Sequence, residues 1–125
     1  GRPRPPYAGA APKIMLAFSP SKTQKNFYEK YHEHFALTEF SQNEAEFLKK
    51  MTTIKKQGFY FSIGELESHL GAISIPIVYS TKSNPIALSV VSSVKRLNLT
   101  NIDVIVNIMQ KAAKIIENNM LGNKD

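Results

Sequence analysis

The sequence contains no cysteine, and this absence removes several kinds of chemistry at once. A chain without thiols has no disulfides, no zinc–thiolate site and no cysteine nucleophile, and it fits a reducing compartment. No apolar run reaches the length needed to cross a bilayer, and the N-terminus lacks the apolar core of a signal peptide. We therefore expect a cytoplasmic protein with no membrane partner.

Glycine is also scarce, and the motifs that depend on it are missing. The six glycines form neither a Gly-x-Gly-x-x-Gly fingerprint nor a P-loop, and no Gly-x-Ser-x-Gly elbow surrounds a serine. His32 and His34 are two residues apart, which does not put both on one helix face. His69, Ser92 and Asp103 are the residue types of a catalytic triad, but such scattered residues occur by chance. The sequence predicts no enzyme, no cofactor and no metal site.

An initiating methionine is missing as well, since the chain begins Gly1-Arg2-Pro3. We interpret the chain as a piece of a longer protein. Its 125 residues are enough for one compact domain and not comfortably for two, so we expect a single domain over residues 1–125. Hydrophobic residues make up 42% of the chain, which is enough to form a core.

The basic residues do not form one tract, although the net charge is +6. The densest group lies in a stretch that reads as a helix, where Lys49, Lys50 and Lys56 fall on the side away from the apolar residues. This pattern favours a solvated helix face over a patch that binds nucleic acid phosphates.

The first half of the chain predicts three helices. Small residues at 8–11 lead into a short helix with Pro12 in its first turn, and Ser21 caps a second helix that ends near Tyr31. Residues 41–44, Ser-Gln-Asn-Glu, form a capping box for the third helix, which ends at Gly58. The predicted buried stripe of that helix consists of Phe47, Met51 and Ile54.

The second half changes to strand patterns and ends in a helix. Residues 59–63, 70–79 and 85–94 predict three strands, the last two paired as an antiparallel hairpin. Pro76 implies an edge or bulge position because proline has no N–H to donate. Thr100 caps the last helix, whose predicted stripe is Ile105, Ile108, Met109, Ala112 and Ile116. The fold class is α/β (α+β), with a mainly antiparallel sheet and flanking helices.

Two separated parts of the chain, residues 5–17 and a series of short segments between residues 54 and 92, resemble the effector-binding domain of IclR-type bacterial transcription regulators. Residues 5–17, Pro-Pro-Tyr-Ala-Gly-Ala-Ala-Pro-Lys-Ile-Met-Leu-Ala, are similar to the family's pocket loop and the helix after it. Residues 54–59, the pair Gly64-Glu65, residues 72–77 and residues 85–92 then follow in the family's order. The resemblance implies a GAF-like domain that is truncated at its N-terminal side. The family's preceding helix, its first strands and its winged helix-turn-helix would then lie before Gly1.

The same resemblance implies a sensing function without catalysis. Family members bind small organic or aromatic acids, associate as dimers or tetramers, and change how a separate winged helix-turn-helix domain occupies DNA. This chain would then contact DNA only through a domain that it lacks, and its effector would be a carboxylic acid. The implied ligand-binding residues are Gly9, Ala10 and Ala11 in the loop, Ser62 on the first strand, Leu70 and Ala72 on the second, and Val90 and Ser92 on the third. Backbone amides beside small residues suit a carboxylate, and a hydroxyl adds a fixed polar contact.

These residues also have structural explanations. Small loop residues can serve packing alone, and the apolar strand residues would be core in any α/β domain. Ser62 stands where the family often has an acidic residue, and Val90 stands where it often has a polar one, so the resemblance implies a less polar pocket. The register of the third strand stays open, because a shift of one residue exchanges its two faces. The alternatives facing the loop are Leu88, Val90 and Ser92, or Ser89, Val91 and Ser93.

Two other functions remain open from the sequence alone. One is a GAF- or PAS-like ligand module of another signalling protein, and the other is a small hydrolase. A winged helix-turn-helix encoded upstream would favour the regulator, whereas a kinase or cyclase module would favour the signalling protein. A turnover screen would reveal the hydrolase.

Overall fold

A computed structural model describes residues 7–34, 43–65, 67–80 and 85–122 of the chain. Four helices and three strands follow one another in the order that the sequence predicts, and the α+β class is confirmed. The elements are α1 (Ala10–Ala17), α2 (Ser21–Tyr31), a 3-10 turn (His32–His34), α3 (Glu44–Gln57), β1 (Tyr60–Ile63), β2 (Leu70–Ile77), β3 (Ile86–Ser93) and α4 (Ile102–Gly122). No helix in these described ranges is long and apolar enough to cross a membrane.

Helix α3 has the buried stripe and the end that the sequence predicts, but a different N-cap. Gly58 has φ +82°, a left-handed conformation, and its N–H donates to the carbonyl of Ile54. The Asn43 side chain accepts from the Glu46 N–H at 2.9 Å and is therefore the cap. The predicted cap, Ser41, lies outside the described residues, and the capping box centred on it is replaced by this Asn43 contact. Asparagine caps as well as serine does, so the sequence did not distinguish them.

The predicted caps of two other helices are wrong by one residue. Ser21 is the first residue of α2 rather than its cap, and Pro20 precedes it in an extended conformation. Thr100 does not cap α4, because the Ile105 N–H donates to the carbonyl of Asn101, the residue directly before the helix. Pro12 lies in the first turn of α1, as predicted.

The three strands form one antiparallel sheet in the order β1-β2-β3. Pro76 therefore lies in the central strand, although an edge or bulge position was expected. The pairing explains how the strand tolerates it. Strand β1 reaches only as far as the Tyr60–Ser74 pair, so Pro76 is paired with Ala87 of β3 and has no β1 partner. At Pro76 the central strand is paired only with β3, so the missing N–H of Pro76 costs no hydrogen bond to β1.

The two faces of the sheet pack against different helices. Helix α1 crosses all three strands on one face, with α2 and α3 packed outside it, and α4 covers the other face. Tyr60 and Ala72 join the core on the α1 side, whereas Ile73 and Ile75 join the core on the α4 side. We call these sides the α1 face and the α4 face.

Part of the predicted stripe of α4 is wrong. The residues of α4 that are buried against the sheet are Ile102, Val106, Met109 and Ala113. Ile105 and Ile116 flank this group, as predicted, but Ile108 is 63% exposed. Apolar residues lie on both sides of α4, so periodicity alone does not select the side that packs on the sheet.

Candidate functional site

The strand register assigns each polar strand residue to one face of the sheet. Directly opposed residues in an antiparallel pair share a face, and successive residues alternate. Ser62 opposes Ala72, which opposes Val91, and Leu70 opposes Ser93. Because Ala72 belongs to the core beneath α1, all of these side chains lie on the α1 face. We call the following set the serine face: Ser62, Leu70, Ala72, Ser74, Ser89, Val91 and Ser93.

A hydrogen bond across the sheet confirms this register. The hydroxyl groups of Ser74 on β2 and Ser89 on β3 form a hydrogen bond with an oxygen–oxygen distance of 2.6 Å, and Ser74 is fully buried. Ser62, with 6% of its surface exposed, lies on the same face. In the described part of the chain, every fully buried side-chain nitrogen or oxygen has a hydrogen-bond partner. The serine face is therefore polar without containing an unsatisfied buried group.

Val90 and Ser92 lie on the α4 face, away from the loop and α1. Val90 opposes Ile73, which belongs to the α4 core. Ser92 opposes Gly71, where an added Cβ would meet Leu97 of the same core. The prediction that these two residues face the loop is wrong, and the alternative with Ser89, Val91 and Ser93 holds. The physical reason is the connection between the strands: residues 78–85 separate the last pair, Ile77 and Ile86, so no tight two-residue turn fixes the register.

Gly9, Ala10 and Ala11 begin α1 over this face of the sheet. Gly9 has φ +96°, and no side chain caps the helix end that follows it. Ala10 is 2% exposed and packs in the same core as Ala72, whereas Ala11 is half-buried. The first N–H groups of a helix have no partner within the helix, and they attract a negative charge. The structure thus packs Ala10 in one core with Ala72, which opposes Ser62 on the sheet, and it leaves the N-terminus of α1 without a side-chain cap.

An ion pair joins the start of α1 to the end of β1. The Lys13 ammonium group forms a salt bridge with Glu65 and donates to the carbonyl of Tyr7 at 3.0 Å. The Tyr60 hydroxyl donates to the second Glu65 oxygen at 3.4 Å. The Lys13 side chain is only 7% exposed, so this pair is sheltered from solvent. It fixes the loop before α1 relative to the turn that begins after Ile63, the last residue of β1.

Aromatic rings hold Tyr7 from the other side. Its ring stacks on the His34 ring, with the centroids 4.2 Å apart, and lies 5.7 Å from the tilted ring of Tyr31. Tyr7 also borders a narrow cleft between the first three helices. The other residues of that cleft are Pro12, Lys13, Leu16, Phe27, Phe47 and Met51. Apart from Lys13 these residues are apolar or aromatic. The cleft therefore has an apolar lining, and it is on the side of α1 that faces away from the sheet.

Sequence reasoning missed several residues of this region. Lys13 and Glu65 were noticed only as parts of matching motifs, and their pairing depends on a contact across 52 residues that no local pattern shows. Ser74, opposite Ser89, was also missed. A signal for it existed, because Ser74 stands at an even spacing from Ala72 and therefore shares its face.

The scattered triad residues are not assembled into a site. His69 lies 3.6 Å from Glu67, and both side chains are at least half exposed. Ser92 faces α4, and Asp103 is exposed in the first turn of that helix. The described residues also contain no group of three or more side chains suited to hold a metal ion.

The arrangement of an uncapped helix start over a serine-bearing sheet can be compared with known proteins. The family model described as "Bacterial transcriptional regulator IclR C-terminal" matches residues 1–118. The chain belongs to the IclR family. It corresponds to the C-terminal, effector-domain part of these regulators, and the relatives described below are regulators too.

One curated relative is the Pca operon regulatory protein of Acinetobacter baylyi, which is 31% identical over 121 residues. The match covers 94% of this chain and 43% of that protein, so the chain spans less than half of its relative. A solved relative is the inducer-binding domain of PobR from Acinetobacter, a double mutant in complex with 3-hydroxybenzoic acid. It is 22% identical with a TM-score of 0.74, and the match covers 94% of this chain and 67% of the other.

The C-terminal domain of the E. coli regulator KdgR gives a similar result. It is 23% identical with a TM-score of 0.75, and the match covers 97% of this chain and 74% of that domain. The two structural likenesses establish the fold, while the family match establishes the membership.

Proposed function

We propose that this chain is the sensing part of an IclR-type regulator and that it binds a small aromatic carboxylic acid between the start of α1 and the serine face. Binding would change how a separate winged helix-turn-helix domain occupies DNA. The chain would self-associate, work in the cytoplasm and catalyse no reaction.

The observation that carries this proposal is the uncapped N-terminus of α1 over the serine face. The free N–H groups of the helix start suit a carboxylate, because the helix dipole adds partial positive charge there. Serine hydroxyls on the sheet below supply the polar contacts that orient a ligand, while Val91 and Leu70 supply apolar surface. Lys13 is engaged by Glu65, so backbone groups rather than this ammonium carry the recognition.

An aromatic acid is the favoured ligand class for two reasons. The site lacks the acidic side chain that the family often has at the position of Ser62, and Val91 adds an apolar wall. The relative from Acinetobacter, in its solved complex, binds 3-hydroxybenzoic acid. A ring with one carboxylate and one hydroxyl offers groups for both the helix start and the serines.

A thermal-shift experiment tests the proposal. Benzoic acid and 3-hydroxybenzoic acid should raise the melting temperature as concentration increases, because they bind only the folded state. The uncharged benzyl alcohol should have a much smaller effect. Ala11→Phe should abolish the rise because its ring would lie at the helix start where the carboxylate is proposed to bind, whereas Ala45→Phe, at an exposed position of α3, should preserve it. If the acids leave the melting temperature of the folded chain unchanged, the proposal is wrong.

A further inference from the structure

An ion pair connects the two segments that border the candidate ligand site. Lys13, near the start of α1, forms a salt bridge with Glu65, which lies two residues after the end of β1. The same ammonium group donates to the carbonyl of Tyr7 at 3.0 Å. One side chain therefore links the loop before α1, the helix itself and the turn between β1 and β2.

The Glu65 side chain turns back over the α1 face of the sheet. Gly64, with φ +78°, changes the direction of the chain just before it. The Tyr60 hydroxyl donates to the second Glu65 oxygen at 3.4 Å, and Tyr60 opposes Ser74 of the serine face. The carboxylate therefore lies on the β1 side of the serine face, next to the residues proposed to orient a ligand.

Burial makes the position of the Lys13 ammonium group costly. Its side chain is 7% exposed, and loss of hydration disfavours a charged group. The dipole of α1 adds partial positive charge at the same end of the helix. Glu65 offsets both effects, so removal of its charge should draw the ammonium group toward water and weaken the contact with the Tyr7 carbonyl.

We propose that Lys13 and Glu65 are positioning residues of the ligand site, and that their pair holds the start of α1 over the serine face in the arrangement that binds a carboxylate. The inference rests on the proposed function and names two residues, outside the implied ligand-binding set, on which its affinity depends. Neither side chain needs to contact the ligand. Molecules in which the two segments are held together bind well, so the apparent dissociation constant rises as their fraction falls.

The variant Glu65→Gln separates positioning from a simple effect of charge. If the pair acted through charge alone, removal of a carboxylate near the site would tighten the binding of an acid, because like charges repel. Positioning predicts the opposite sign. Isothermal titration should show 3-hydroxybenzoic acid binding about tenfold more weakly to Glu65→Gln, as expected for the loss of one hydrogen bond to a charged group. Glu67→Gln is the matched control and should preserve the affinity, because Glu67 is in the same turn but is 50% exposed and lies 3.6 Å from His69.

A double-mutant cycle tests whether the two residues act as one unit. Lys13→Met should also weaken binding, and the double variant Lys13→Met/Glu65→Gln should bind no more weakly than the weaker single variant. Lys13→Arg, which keeps the positive charge, should retain most of the affinity. Tighter binding by Glu65→Gln, or losses that multiply in the double variant, would overturn the proposal.

Amide hydrogen exchange in the ligand-free chain tests the physical link without any ligand. The Gly64 N–H donates to the Leu70 carbonyl at 2.9 Å, and the Leu70 N–H donates to the Glu67 carbonyl at 3.0 Å. Both protons should exchange at least about tenfold faster in Glu65→Gln and at the wild-type rate in Glu67→Gln. Equal rates in the wild type and Glu65→Gln would overturn the inference. Faster exchange in Glu65→Gln, together with a wild type that binds no acid, would support the link between the segments and contradict the proposed function instead.

Discussion

Neighbouring serines at the end of β3 have opposite environments, and this difference gives the most direct test of the site. Ser93 shares the α1 face with Leu70, whereas Ser92 opposes Gly71 on the α4 face. Ser93→Ala should weaken binding of 3-hydroxybenzoic acid by about 1 kcal/mol, which is about fivefold, because one neutral hydrogen bond is lost. Ser92→Ala should leave the affinity unchanged. Isothermal titration of both variants makes the comparison, and the reverse order would contradict the register.

Lys13 illustrates a residue whose role is positional. Its ammonium group joins the carbonyl of Tyr7 to Glu65 from a nearly buried position. Lys13→Met keeps the length of the side chain but removes both charge-assisted contacts, so we expect the free energy of unfolding to fall by about 2 kcal/mol. Urea denaturation measures this change. Lys25→Met, at an exposed position of α2, is the control and should change stability by less than about 0.5 kcal/mol. Equal losses in the two variants would show that the Lys13 contacts do not stabilise the fold.

The end of α3 shows how one backbone conformation selects its residue. Gly58 has φ +82°, and a Cβ there would meet nothing closer than the Gln110 side-chain nitrogen at 3.9 Å. The cost of Gly58→Ala should therefore come from the backbone alone, at about 1 kcal/mol, and Gly58→Asn should cost less because asparagine tolerates this conformation better. Thermal or urea unfolding of the pair tests this order. An alanine variant as stable as the wild type would mean that the helix end relaxes to another conformation.

Helices and strands were predicted correctly where the interactions that define them lie within one stretch of the chain. Helix α3 was predicted well because its stripe and its terminating glycine are encoded within one stretch of chain. The cap of α4 was misplaced by one residue because neighbouring threonine and asparagine have similar capping chemistry. The start of α2 was misplaced because Pro20, which has no capping side chain, stands at the N-cap position. The partners of Pro76 depend on where β1 ends, which only the assembled sheet determines.

The candidate site was predictable only in part for the same reason. Ala10, Ala72 and Ser62 lie on one side of the sheet, in agreement with the order of segments that the family resemblance supplied. Val90 and Ser92 were assigned to the wrong face because register depends on a long connection rather than on the composition of β3. The exposed side of α4 was also misjudged, since Val104 and Ile108 have the same character as the residues that pack on the sheet.

At the scale of the whole molecule, the sheet separates two surfaces of different chemistry. The α1 face has the serines and the helix start without a side-chain cap, and the far side of α4 exposes the apolar residues Val104, Ile108 and Ile115. The match covers 43% of the curated relative, so a link between ligand binding and DNA occupancy is part of the function proposed above.

The net charge of +6 is also a property of the whole chain, and it predicts how this chain alone behaves toward DNA. The lysines of α3 are exposed but not part of a helix-turn-helix, so contacts would reach phosphates rather than base edges. We expect weak binding that is equal for two duplexes of unrelated sequence and that falls steeply as salt rises, because each phosphate contact releases counterions. Fluorescence anisotropy with labelled duplexes, measured from low salt to about 0.15 M, tests this expectation. Preference for one duplex that persists at about 0.15 M salt would show that the chain itself reads DNA sequence, and the assignment of that task to a separate domain would then be wrong.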